Sequence, residues 1–184
     1  MILHCTQKLA ARIPSTTDLS DPAAELDGRA GSLSSWHAHL LTLDHRHCVL
    51  FCHDATRYVL FLPGLRAQQL AELGRWHCDL FLAVLQVQGL PHFYIARAGL
   101  TLGPLRMDQK TDRSVVSSMC RVAEDIRFGI LRETANVMEL DPVRTSLWLN
   151  DRPCTAHKTW IWPDKAMREI VEASSFPAQP PTRS

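Results

Sequence analysis

The stretch WHAHLLTLDHRHCVLFCHDATRYVLFL, residues 36 to 62, decides the fold. It holds three runs of similar length rich in β-branched, aromatic and leucine side chains, separated by Asp-His-Arg and Asp-Ala-Thr. Such short polar breaks between apolar runs predict strands joined by tight turns, an antiparallel meander. With the turns centred on His45 and Arg46 and on Asp54 to Thr56, Leu41, Leu50 and Leu60 align across the sheet, with Leu43, Cys48 and Leu62 beside them. Val49, Phe51, Val59 and Phe61 take the other face. In that register Cys52 faces His39, and Tyr58 faces Cys52. A central strand that is apolar on both sides needs cover on both sides.

Working outward, Ile2 to Cys5 is a short apolar strand, followed by Thr6 at a capping position and a helical QKLAARI. Residues 14–35 are rich in Ser, Thr, Asp and Gly and predict a long surface connection, with one helical turn at Asp21 to Leu26. After Pro63-Gly64, the spacing of Leu70, Leu73, His77, Leu80, Phe81, Val84 and Gln88 predicts an amphipathic helix of about six turns, weakened at Gly74. HFYIARAGL reads as a short helix, and LTLGPLRM as an edge strand interrupted by Pro104. TDRSV opens a second long helix, capped by Asp112 or Ser114 and burying Val116, Met119, Cys120, Ala123, Ile126 and Ile130. Asp141-Pro142 starts a short helix and Pro163 a last one, to about Glu172; the Pro-rich end predicts disorder. The expectation is an α+β domain over residues 1–172, with an antiparallel three- to four-stranded meander covered by two long helices and shorter C-terminal ones, and a disordered tail at 173–184.

A chain of 184 residues, 46% hydrophobic and 21% charged, has the composition of an ordinary globular core. No apolar run reaches the roughly 18 residues of a membrane span, and the N-terminal stretch is too short for a signal peptide, so a cytoplasmic protein without a membrane role is expected. Cys5, Cys48, Cys52, Cys78, Cys120 and Cys154 follow no framework spacing and read as reduced, packed thiols. Net charge is +1, and residues 111–152 mix six Arg with seven Asp or Glu. No basic stripe favours nucleic acid as a partner, although folding could gather some of the sixteen arginines on one face.

Histidine is the richest chemical signal, with six of nine in or near the predicted strands. His37 and His39 alternate by two and share a sheet face. With Cys52 they form the one candidate zinc set, weighed against the plainer reading of a solvent-facing His37 and a packed His39 and Cys52. No motif supports a metal or a cofactor, and none is expected. His4-Cys5 and Cys52-His53 are strand neighbours that point to opposite faces, so neither makes a thiolate couple by adjacency. Asp112, Arg113 and Ser114 at a helix mouth suit an anion but also suit a plain cap. Arg57 and Arg152 complete the candidates for phosphate chemistry. Trp148, Trp160 and Trp162 cluster toward the C-terminus and read as core, unless their rings prove exposed and serve a partner.

The motifs HCTQKL, SWHAHLLTLD, VLFCHDATRYVLFLPGL, TDRSV and WLNDRPC together resemble a family of small uncharacterised bacterial proteins, a domain of unknown function. The resemblance runs over residues 1–172 apart from 14–35. It implies a single bacterial domain and supplies no catalytic residues. Two functions compete. The first is a non-enzymatic binding or regulatory module of a bacterial accessory system, offering a sheet edge or the Trp-bearing surface to a protein partner. The second is a small nuclease or phosphate-handling hydrolase drawing on His37, His39, Arg57, Asp112, Arg113 and Arg152. Convergence of His37 or His39 with Asp112, Arg113 or Arg152 in one pocket favours the second, and their dispersal favours the first.

Overall fold

A computed structural model describes residues 1–13, 32–156 and 158–174. The turn expected at Asp21 to Leu26, most of the connection at 14–35 and nearly all of the tail at 173–184 lie outside the described residues.

Five strands form one mixed sheet: β1 (Ile2–Cys5), β2 (Ser35–Leu43), β3 (Arg46–His53), β4 (Val59–Leu62) and β5 (Arg106–Asp108), in the order β4-β3-β2-β1-β5. The meander β2-β3-β4 is antiparallel as its alternation implies, but β1 runs parallel to both β2 and β5. The expected all-antiparallel sheet is therefore corrected. Hairpins announce themselves through local turn residues, whereas a parallel neighbour arrives by a distant crossover that leaves no local mark.

Register is corrected as well. Asp44 and His45, at φ 45° and 60°, form a two-residue turn with both central residues in the left-handed region, the geometry that suits strand twist. The turn lies one residue earlier than expected, so Leu41 faces Cys48 and His37 faces Cys52. A slip of two keeps every side chain on its face. The second turn spans Asp54 to Arg57, closed by His53 N–H to the Tyr58 carbonyl (2.8 Å) and Arg57 N–H to the His53 carbonyl (2.9 Å). Here the slip is one residue: Leu50 faces Phe61 and Phe51 faces Leu60, so Leu60 and Leu62 join Val49 and Phe51 while Val59 and Phe61 turn to the opposite side.

Both faces are covered. On the first, Leu3, Trp36, Ala38, Phe51 and Leu60 pack under α3 (Leu73–Val87), α4 (His92–Leu102) and α7 (Pro163–Ala173), with a short α1 (Gln7–Ala10) and α2 (Ala67–Ala71) at the margins. On the second, Leu41, Leu50, Cys52 and Phe61 pack against α5 (Arg113–Phe128) and Leu149 of α6 (Pro142–Asn150). The six-turn helix is in fact α2 and α3, divided at Glu72, whose φ of −106° and ψ of 26° leave helical geometry. At Gly74 a β-carbon would stand 2.6 Å from Leu105 Cδ2, so any larger residue would have to displace that side chain. The buried stripe of α5 is Val115, Ser118, Met119, Ala123 and Ile126, one residue off the expected Val116 and Cys120 at its start. Cys120 is exposed and Cys78 and Cys154 half-buried, so only Cys5, Cys48 and Cys52 are core thiols.

The edge of β4 is closed by α6. Asn150 Oδ1 accepts from Val59 N–H and its Nδ2 donates to the Val59 carbonyl, both at 2.8 Å, while Ser146 Oγ accepts from Phe61 N–H at 3.1 Å. Two side chains at i and i+4 on one helix thus stand in for a sixth strand, and this edge offers no ladder to a partner.

Candidate functional site

The register carries His37, Cys52 and Val59 in one row across the sheet, and β1 and β5 extend that row with His4 and Asp108. His4 and His37 become neighbours, their rings 4.9 Å apart. Around them runs an unbroken polar chain. Asp108 Oδ1 takes the His4 Nδ1 proton at 2.6 Å, and His4 Nε2 lies 3.2 Å from Ser35 Oγ. Ser35 donates to Asp54 Oδ2 at 2.5 Å, and the other oxygen of Asp54 takes the His37 Nδ1 proton at 2.6 Å. His37 Nε2 accepts the Asp112 backbone N–H at 2.8 Å, which fixes the ring proton on Nδ1. Burial works against the Asp54 carboxylate, but the hydrogen bonds from His37 and Ser35 outweigh it and hold its pKa below the ordinary carboxylate value.

Ser35, His4 and Asp108 have the connectivity of a nucleophilic triad. The protons run the wrong way for one. Ser35 gives its single proton to Asp54, so the hydroxyl has none to offer His4, and the imidazole is not placed as the base of a Ser–His pair. Every ring nitrogen of the pair is already engaged. The chain ties β1, β2, β5, the β3–β4 turn and the start of α5 together.

Asp112 caps α5, accepting from the Ser114 and Val115 amides at 2.6 and 3.1 Å, and those two bonds lower its pKa. Thr6 makes no such side-chain cap to α1, against expectation. Its hydroxyl instead meets His39 Nδ1 at 3.1 Å, and the pKa of that half-buried ring is lowered by burial and by the charges of Lys8 and Arg127. His37 is fully buried, which corrects the solvent-facing reading, and Cys52 hydrogen-bonds the His53 carbonyl. His37, His39 and Cys52 therefore serve three different partners. Among the described residues no group of three or more His, Cys, Asp and Glu is placed to hold a metal ion. Arg113 is exposed and stands outside the chain.

Arg57 is the hinge between this chain and a pocket behind it. It sits at φ 57°, in the region a β-carbon disfavours, and only 3% of it is exposed. Its Nη1 donates to the Asp54 carbonyl and its Nη2 to Ser114 Oγ at 3.1 Å. Its Nε has no hydrogen-bond partner among the described residues. Arg57 also lines a cavity of about 380 Å³ together with Arg121, Arg152, Asp125 and Trp160, between α5, the end of α6 and a small hairpin, β6 (Cys154–Ala156) and β7 (Thr159–Ile161). Arg152 reaches Asp125 at 3.1 Å and stacks 3.9 Å over the Trp148 ring, leaving its own Nε unpartnered among the described residues. Three guanidiniums against one carboxylate leave the lining with an excess of two positive charges. A second hollow, about 470 Å³ beside Trp148, carries Glu133, Glu139 and Asp141 against Arg144 and has the opposite character.

Of the sequence candidates, His37, Arg57 and Asp112 converge on the chain and Arg57 and Arg152 on the pocket, while His39 and Arg113 lie apart. Sequence reasoning misses His4, Ser35, Asp54 and Asp108, which only the parallel placement of β1 and β5 unites. It also misses Arg121, Asp125 and Trp160. Trp148, Trp160 and Trp162 are 43%, 73% and 42% exposed, against the core reading, because α6, β7 and the loop before α7 turn these rings away from the sheet.

A sequence model of the family described as Domain of unknown function (DUF6933) matches residues 2–166. The chain belongs to DUF6933. The match runs from β1 into α7, so this family's span takes in every residue of the polar chain and of the arginine pocket. No curated protein and no solved structure matches the chain. Among the described residues of this DUF6933 member, no helix is long and apolar enough to cross a membrane.

Proposed function

We propose that residues 1–172 form a bacterial cytoplasmic binding module whose ligand is a small anion held in the pocket between α5 and the β6–β7 hairpin. The observation that carries this reading is Arg57: a guanidinium buried to 3% exposure in a strained turn, its Nε without a hydrogen-bond partner among the described residues, on a residue that lines a cavity. A buried charge without a paired carboxylate costs stability, and a bound anion would remove that cost. Arg121 and Arg152 supply further donors, and a volume of about 380 Å³ lies within the range of small-molecule sites, roughly 300–1,000 Å³. Arg57 and Asp54 are joined directly, so ligand binding would also brace the histidine chain.

Titration of the isotope-labelled protein with inorganic phosphate tests this. Expected at millimolar phosphate are shifts of the Arg57 and Arg152 Nε–H resonances, weakened in Arg121→Gln and Arg152→Gln. Unmoved resonances would sink the reading. Arg57 itself is a poor test position, because its Nη atoms hold the turn.

A second reading, a small nuclease or phosphate-handling hydrolase, stands on the closeness of His4 and His37, rings 4.9 Å apart, and requires their ring nitrogens to exchange their present partners for a substrate. Turnover of an aryl phosphate or of single-stranded DNA, lost in His4→Ala, would establish it. Absence of turnover with phosphate still bound leaves the binding module. The exposed Trp148 and Trp162 keep a protein partner as a proposal for the same region.

A further inference from the structure

We propose that the anion is carried on a planar aromatic ring, the class being a nucleoside monophosphate whose base stacks on Trp160; this rests on the anion-binding reading above. Thr155 and Trp160 are cross-strand partners in the β6–β7 hairpin and both line the cavity, so the hairpin holds the indole at the pocket wall. At 73% exposure it is the most solvent-exposed large apolar side chain among the described residues. Such a ring is a stacking platform for any base, since every base has a π-face. Much of the remaining wall is Val59, Val122, Leu149 and Pro163, apolar surface that a bare phosphate would leave wet.

The charged and aromatic parts border one cavity, which Arg57, Arg121, Cys154, Thr155 and Trp160 all line. Burial raises the pKa of the Cys154 thiol, and the positive charges of Arg57 and Arg121 pull against it, so both guanidiniums lie near Cys154. A phosphate on the arginines and a ring on the indole would share this one space of about 380 Å³. An acidic ligand without a ring uses half of this pocket, and an uncharged ring leaves the buried Arg57 unanswered.

The test is calorimetry on the whole chain with inorganic phosphate, adenosine and adenosine monophosphate, with tryptophan fluorescence recorded alongside. The expected result is that the nucleotide binds about tenfold or more tighter than phosphate, in line with roughly 1–3 kcal/mol for one base–aromatic stack, and quenches fluorescence while phosphate does not. Trp160→Ala should reduce the nucleotide to the affinity of phosphate and leave phosphate unchanged, and Trp160→Phe should restore most of the difference. Should Trp160→Ala disturb the hairpin, the quench on the unaltered chain and the behaviour of Trp160→Phe decide. Equal binding of nucleotide and phosphate overturns the ring and spares the anion. Adenosine binding as tightly as its monophosphate, or no binding by any of the three, overturns the anion reading and this inference with it.

Discussion

His53 and His37 lie on paired strands in adjacent rows of one sheet, yet they meet opposite fates. His53 faces Trp36 across the ladder and points to the first face; His37 faces Cys52 and points to the second. On the first face His53 Nε2 donates to the Ser32 carbonyl at 2.9 Å while Nδ1 accepts from the Thr56 amide at 3.3 Å, the bonding pattern of a neutral ring. Burial lowers its pKa to about 4. Above it His77, packed edge-on to Trp36 and Phe51, has neither nitrogen hydrogen-bonded among the described residues, and burial lowers its pKa to about 3. On the second face His4 and His37 each give a proton to a carboxylate. The strand period alone sorts these residues: one step along the chain exchanges an aromatic core for a polar chain that ends on the Asp108 carboxylate and the Asp112 amide.

The apolar face should dominate stability. Trp36 is fully buried among His53, Tyr58, His77 and Phe81. Trp36→Ala should cost about 3–5 kcal/mol in urea unfolding, by far the largest single loss, whereas a comparable loss from the polar chain would reverse the ranking of the two faces.

The apolar face is legible in the amino-acid sequence, and the polar chain is not. The alternation in residues 36 to 62 marks β2, β3 and β4, and Asp112 and Asp141-Pro142 mark two helix starts, because these signals are local. The row joining His4 to Asp108 depends on a strand at residue 2 lying between residues 35 and 106, and nothing in any of the three segments encodes the others. Register is hidden for a related reason. Asp44 and Arg57 both adopt positive φ without being glycine, so the turns carry no glycine to centre them. His37 and Arg57 stand out in the sequence only as isolated candidates, and their meaning comes from neighbours that topology supplies.

Acid sharpens the contrast next. For His53 and His77 the folded pKa lies below the unfolded value of about 6.5. Above about pH 6.5 neither state binds the proton and stability is full. As pH falls below that, the unfolded chain takes protons that the folded one refuses, and stability declines until pH reaches the folded values of about 4 and about 3. By about pH 4 each ring should have removed roughly 3 kcal/mol. His77→Leu should flatten that decline by about half in acid-to-neutral urea melts. At neutral pH it should be close to neutral or stabilising, because it deletes two buried unpaired nitrogens. An unchanged slope would show that His77 does not bear the burden.

The polar chain should respond lower on the pH scale and more weakly. Asp54 is held below its ordinary pKa, so its contribution is present above the unfolded value of about 3.9 and is lost as pH falls through the folded one. Asp54→Asn should cost about 1.5–3 kcal/mol, the scale of hydrogen bonds to a charged group. It should also lose exchange protection at the Asp112 amide, since His37 Nδ1 no longer has a carboxylate to orient it. Retained protection there would break the link from Asp54 through His37 to α5.

Asp112 separates the cap of α5 from that link, because its two ends do different things. The carboxylate caps the helix by accepting from Ser114 and Val115, while its backbone N–H alone reaches His37. Asp112→Ala deletes the first and keeps the second, so it should cost only about 1 kcal/mol, the value of one N-cap, and leave Asp112 amide protection near that of the wild type. Asn caps almost as well and cannot titrate, so Asp112→Asn should recover most of the loss at neutral pH. Its pH profile should then lack the part that Asp112 adds, stability present above about pH 3.9 and lost as pH falls through its lowered folded pKa. A loss in Asp112→Ala as large as that of Asp54→Asn would instead make the carboxylate part of the polar chain, and the second face would hold its histidines through the side chain of α5 as well as its backbone.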